Sequence, residues 1–273
     1  MNARLGRARV ERARSELSDR DWRVLADLAR VRLLTTQHIE RLHFQDGSPL
    51  TQARRTRRSL QRLTQLDVIH RFARRVGGVR AGSAGTTYGL ATLGQRLIDA
   101  AGPAGGARRR RPWEPSAQFF AHVLAVSELY VQLREAERTC ELDLLDFDAE
   151  PACWRKHVDV GGSANVVKPD AYIRIGLGEF EEYRFVEVDL GSESLSVIAR
   201  KAETYVDYWR SGHEQRRSGV FPQVLFAVPD EHRAEQIVTT LAVLPPDVWQ
   251  LFAVRLRGDG AAAIVGSQPS ETT

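Results

Sequence analysis

The chain has 273 residues, 42% of them apolar and 27% charged, with a formal net charge of +4. That length supports two cored domains, the composition excludes a disordered chain, and no apolar run approaches the roughly 20 residues of a membrane span. Cys140 and Cys153 have no CxxC companion, which argues against a zinc site and makes a cytoplasmic protein with free thiols the expectation.

The small net charge hides a segregation. Residues 1–112 carry 24 arginines against 9 acids, a balance of +15, while residues 113–273 carry 15 bases against 26 acids, a balance of −11. A GC-rich genome would account for arginine replacing lysine, but not for charge sorting by domain. The basic half is therefore the candidate for a polyanion, with nucleic acid the leading expectation.

Residues 1–16 are arginine-rich without an apolar core, so they read as a basic N-terminal arm or a frayed helix rather than a secretory signal. Ser18 with Asp21 three residues on predicts a helix start, followed by Trp22, Leu25, Leu28 and Ala29 at helical spacing. A second short helix begins at Thr35 or Thr36 and buries Ile39 and Leu42. The third begins at Ser48 with Pro49 in its first turn, and turns Ala53, Thr56, Leu60, Leu63 and Leu66 to one face. Arg54, Arg58 and Arg62 follow one another at four-residue steps on another face, beside Arg55 and Arg57. Five arginines and no acid between Gly47 and Gln65 weigh towards a polyanion contact, against the reading of a plain solvated face.

Residues 68–72 and 87–90 predict a β-ribbon, joined by a Gly/Ser loop that carries Arg74, Arg75 and Arg80. A helix with Leu93, Leu97 and Ile98 closes the region. Three helices, a ribbon and a closing helix predict a winged helix-turn-helix over residues 17–101, with its third helix in the major groove and its wing on the backbone. Arg54, Arg55, Arg57, Arg58, Arg62, Arg74, Arg75 and Arg80 are the candidate DNA contacts.

Residues 102–115 read as a Gly/Pro/Arg linker containing Arg108–Arg111. A long helix over 116–138 buries Phe120, Val123, Leu124, Ser127 and Val131; His122 within it reads as structural and Glu128 as a candidate fourth carboxylate. Strands are expected over 142–147, 154–160, 168–175 and 183–190. The last contains Glu187 and Asp189, which alternation places on one face, where two buried acids need a metal, a base or an open cleft. A helix over 193–210 turns Leu195, Ile198, Ala199, Ala202, Val206 and Trp209 to its core, with Lys201, Tyr205 and Tyr208 flanking that face. A strand over 223–229, a helix over 231–244 and a strand over 249–254 complete a mixed domain over 116–257, and residues 258–273 read as a flexible tail. The fold class is α+β.

Pro169-Asp170 at one strand start, followed by the acid pair on the next strand, resembles the core of PD-(D/E)xK nucleases. That resemblance implies Asp170, Glu187 and Asp189 as catalytic carboxylates that bind Mg²⁺. The usual strand lysine is replaced by Asp189, so Lys201 would supply it; Lys201-x-x-x-Tyr205 falls where some such nucleases carry Gln-x-x-x-Tyr. Over residues 17–244 the chain also resembles the replication-relaxation family, bacterial proteins associated with plasmid replication and DNA relaxation. The likeness rests on the N-terminal winged helix, the helix around His122, Pro169-Asp170-Ala171-Tyr172, Glu187-Val188-Asp189-Leu190-Gly191-Ser192-Glu193 and Lys201-Ala202-Glu203-Thr204-Tyr205. It implies a replication or relaxation accessory protein that binds double-stranded DNA, has a relaxase or replication protein as partner, forms no membrane contact and is a candidate homodimer. A Mg²⁺-dependent endonuclease, and a transcription regulator with a C-terminal sensor or dimerisation domain, are the competing expectations.

Overall fold

The computed structural model describes residues 6–72, 85–101, 116–139, 141–158 and 162–265. Within them the chain is α+β and divides into two compact units, one ending at Val131 and the other beginning at Gln132.

The first unit opens with α1 (Arg7–Glu16), a helix where a basic arm was one expectation; its Ala13 is buried and its Arg9 reaches Asp67 at 3.0 Å. α2 (Asp19–Val31) starts on a reciprocal capping box. The Ser18 hydroxyl accepts from the Asp21 N–H, and the Asp21 carboxylate accepts from the Ser18 N–H at 2.8 Å. β1 (Leu34–Thr35) leads into α3 (Thr36–His43), capped by Thr35, and then α4 (Pro49–Gln65), capped by Ser48 with proline in its first turn. β2 (Ile69–Phe72), β3 (Thr87–Leu90) and α5 (Thr92–Ala101) follow, and β1-β3-β2 form one antiparallel sheet. Leu25, Leu28, Ile39, Leu60, Leu63, Ile69 and Leu93 form its buried interior. α6 (Ala117–Arg138) belongs to this unit as far as Val131: the Ser127 hydroxyl donates to the Leu33 carbonyl at 2.6 Å, and the Tyr130 hydroxyl to Asp27 at 2.7 Å. The loop with Arg74, Arg75 and Arg80, and the linker over 102–115, lie outside the described residues.

The second unit is built on a five-stranded sheet ordered β10-β9-β8-β7-β4. β4 (Asp143–Ala149), β7 (Ala171–Leu177) and β8 (Phe180–Val188) run antiparallel; β9 (Gln223–Val228) and β10 (Phe252–Leu256) continue parallel to β8. β5 (Arg155–Val158) and β6 (Ala164–Val167) make a separate two-stranded sheet. α7 (Leu195–Ser211), α8 (His213–Ser218) and α9 (Glu231–Leu241) complete the unit, with a short α10 (Ala262–Val265) at its end. Phe185 of β8, Val224, Phe226 and Val228 of β9, Ile198, Ala202 and Tyr205 of α7, and Ile237 of α9 share one core cluster.

Three details depart from the sequence expectation. Tyr205 and Tyr208 are buried, not flanking, while Leu195 stands 37% exposed, because the two rings fill the space over Phe185. The last strand begins only at Phe252, since Pro246–Leu251 forms a 3₁₀ turn after Pro245. Beyond Gly258 the chain forms α10, with Ala263 and Ile264 buried.

Gly94, in the first turn of α5, is fixed by close approach: a Cβ there would lie 2.0 Å from the Val68 carbonyl oxygen, which accepts the Ala91 N–H at 3.1 Å. Backbone cannot yield as a side chain does. Gly94→Ala is expected to destabilise the first unit by about 2 kcal/mol or more, and an unchanged urea midpoint would contradict this packing.

Candidate functional site

On α4, residues 53, 56, 60 and 63 face the core, so a 3.6-residue repeat turns Arg54 and Arg58 directly away from it. Arg54, Arg55, Arg57 and Arg58 are exposed and make no ion pair among the described residues. Arg62 differs from them. Its guanidinium grips the buried Asp21 carboxylate and donates to the Glu16 carbonyl at 3.1 Å. Burial alone would raise the Asp21 carboxyl, but the Ser18 hydroxyl and N–H, with Arg62, hold it below its ordinary value. Arg62 thus ties α2 to α4. A groove of about 790 Å³ lies between these helices, lined among others by Arg20, Arg55, Arg58 and Arg62. Glu128 is engaged within the same unit, by Arg41 at 2.8 Å and His38 at 3.0 Å.

The acids of the second unit gather where β8 ends, beside the parallel β9. Asp170, Glu187 and Asp189 are 8%, 3% and 4% exposed, and each already has protein donors. The Asp170 carboxylate accepts the Val188 N–H at 2.7 Å, which clips the start of β7 to the end of β8. Glu187 accepts from the Lys201 ammonium at 2.9 Å through one oxygen and from the Tyr205 hydroxyl at 2.6 Å through the other. Lys201 also reaches Glu193 at 2.9 Å. Asp189 is held by the Arg233 guanidinium and by the Gly191 N–H at 3.0 Å, and Arg233 donates further to the Glu193 carbonyl at 2.7 Å.

Burial and the neighbouring Asp170 push the Glu187 carboxyl up, to about 7, against the pull of Lys201 and Tyr205. For Lys201, burial works downward, but the Glu187 and Glu193 carboxylates outweigh it and raise the ammonium's pKa. Burial, then Glu187, pushes the Tyr205 hydroxyl well above its ordinary range.

Lys201 therefore meets Glu187. Asp189 is turned to Arg233, a partner that sequence reasoning missed. The only local signal for it was an arginine in the first turn of the helix after Pro229-Asp230. Among the described residues no group of three or more His, Cys, Asp or Glu side chains is placed to hold a metal ion. The expected three-carboxylate Mg²⁺ centre is not assembled, because Glu187 offers both oxygens to protein donors and Asp189 is engaged by a guanidinium. A divalent cation does not fit these donors as they stand.

The replication-relaxation family model matches residues 25–224, which cover the α4 face, the acids, Lys201 and Tyr205 but not Arg233. No curated protein and no solved structure matches the chain.

Folding should bind a proton at Glu187 between its ordinary 4.5 and its folded value of about 7. In that window the folded state holds the proton and the unfolded state releases it, so stability falls as pH rises from about 4.5 to about 7. Glu187→Gln should flatten that slope in urea titrations, and a slope equal to wild type would remove Glu187 as its source. Lys201→Met should destabilise the unit by about 3 kcal/mol near pH 8, where the folded Glu187 is ionised and loses its base; calorimetric unfolding at an unchanged Tm would contradict the pairing.

Proposed function

The chain belongs to the replication-relaxation family, and from that premise we propose that it is a DNA-binding accessory protein of plasmid or mobile-element replication or DNA relaxation. It binds duplex DNA through a winged helix-turn-helix over 17–101, with α4 in the major groove. The observation that carries this reading is the outward face of α4, where Arg54, Arg55, Arg57 and Arg58 stand exposed without counter-ions among the described residues. Exposed arginines on a helix offer planar forks that suit guanine edges and phosphates alike. The order of α2, α3, α4, the β2–β3 ribbon and α5 supports the winged-helix assignment. Arg62 serves on this reading as a positioning residue that fixes α4 against α2, not as a groove contact. Arg74, Arg75 and Arg80 are assigned to the wing from sequence.

The second unit is read as a nuclease-like domain whose carboxylates are neutralised from within, and which meets a relaxase, a replication protein or a second copy of the chain. A Mg²⁺-dependent endonuclease is the second reading, favoured by Asp170 standing beside Glu187, and it requires Glu187 to exchange a protein donor for the ion. Plasmid nicking in Mg²⁺ by the wild type that Lys201→Met abolishes at an unchanged Tm would select it.

For the leading reading, Arg54→Ala with Arg58→Ala should weaken duplex binding and flatten its salt dependence, by ~0.9 log–log units for each phosphate that is no longer neutralised. Arg62→Ala should instead lower Tm while leaving the salt slope near wild type. Unchanged affinity and slope in the Arg54/Arg58 variant, measured by fluorescence anisotropy, would overturn the α4 assignment.

A further inference from the structure

The β5–β6 sheet is fixed on its inner side. Arg155, 5% exposed, lies 3.3 Å from the fully buried Glu214, donates to the Cys153 carbonyl at 2.8 Å and sits over the rings of Tyr172 and Phe185. His157 packs its ring against Tyr208, at 4.8 Å between centroids. The Cys153 thiol donates to the Pro169 carbonyl at 2.9 Å, which joins the base of β5 to the segment leaving β6. An isolated two-stranded sheet is marginal in water, so these contacts hold the hairpin in place.

The outer side has a different character. Alternation places Trp154, Lys156 and Val158 together, with Lys156 opposite Val166 and Val158 opposite Ala164 in register. Trp154 is 38% exposed, and the Lys168 ammonium lies over one face of its ring, 5.1 Å from the centre, which leaves the other face for a stacked base. The chain has 36 arginines and three lysines; all three lysines fall between positions 156 and 201, and two of them border this face. Residues 113–273 carry a net charge of −11, yet the described residues of 151–158 and 162–169 contain no acid; Asp159 lies outside the described residues. An exposed indole beside compact ammonium ions, in an otherwise acidic half, complements a ligand that has both a flat apolar ring and negative charge. Bases of a duplex keep their flat faces inside the stack, whereas an unpaired base offers one.

We propose that the outer face of β5–β6 binds single-stranded nucleic acid, with an unpaired base stacked on Trp154 and the adjoining phosphates held by Lys156 and Lys168. This site is separate from α4 and does not depend on the duplex contact proposed there.

The test uses the full-length chain with two fluorescein-labelled probes, oligo(dT) and a duplex of the same length. Trp154→Ala should weaken oligo(dT) binding about tenfold, in line with the usual worth of one stacked base, and leave duplex binding unchanged. Lys156→Glu, an exposed change that leaves the inner contacts intact, should weaken oligo(dT) binding and lower its salt slope. Trp154→Phe should retain most of the affinity. Oligo(dT) affinity that is unchanged in Trp154→Ala and Lys156→Glu would overturn the proposal, as would equal competition by polyglutamate, which would mark a surface for acidic peptides. Failure of duplex binding with Trp154-dependent oligo(dT) binding would overturn the α4 reading and leave this one standing.

Discussion

A carboxylate buried at the end of β8 sets the terms for the second unit. Glu187 sits among apolar side chains beside another acid, and neither is tolerable there without donors. α7 brings them: Lys201 and Tyr205, four residues apart and so on one helical face, close on the two oxygens of Glu187. α9 does the same for Asp189 through Arg233. Each of these helices thus docks on the sheet with both an apolar face and a base aimed at an acid. The apolar contacts supply most of the attraction, while the ion pairs fix where each helix lies along the sheet. A helix shifted by one turn would leave its acid unpaired, at a cost of several kcal/mol.

The first unit uses the same device more sparingly. Asp21 caps α2 and receives Arg62 from α4, so one buried carboxylate serves both a helix end and a helix–helix junction. Once Arg62 is committed, the remaining arginines of α4 are left facing solvent. Across the chain, charges with buried partners hold elements together, and charges without described partners mark the candidate binding faces. That distinction separates Arg62 from Arg54 and Arg58, although all three share a four-residue spacing.

What the sequence disclosed, and what it did not, follows the range of the interactions. Helix starts at Ser18, Thr35 and Ser48 were legible because a cap and its partner lie within three residues. Long amphipathic runs such as α4 and α7 were legible from their period. β1 has only two residues, too few to show alternation, and it exists because β3 pairs with it. Arg62 and Asp21 are 41 residues apart, and Arg233 and Asp189 are 44 apart. No local pattern reports such pairs. The acid pair was visible as a problem in the sequence, with Lys201 as one base placed to meet it, but Arg233, brought by a second helix, required the fold.

At the centre of the second unit, Lys201, Tyr205 and Arg233 engage the oxygens of Glu187 and Asp189 that a metal ion would need. Calorimetric titration of the wild-type chain with Mn²⁺ near pH 7.5 tests this most directly, read beside the same titration of Asp170→Asn. The expected result is no saturable heat that distinguishes the two. A saturable uptake by the wild type that Asp170→Asn abolishes would contradict it, because Asp170 and Glu187 would then be holding a cation that Lys201 and Tyr205 were supposed to make unnecessary.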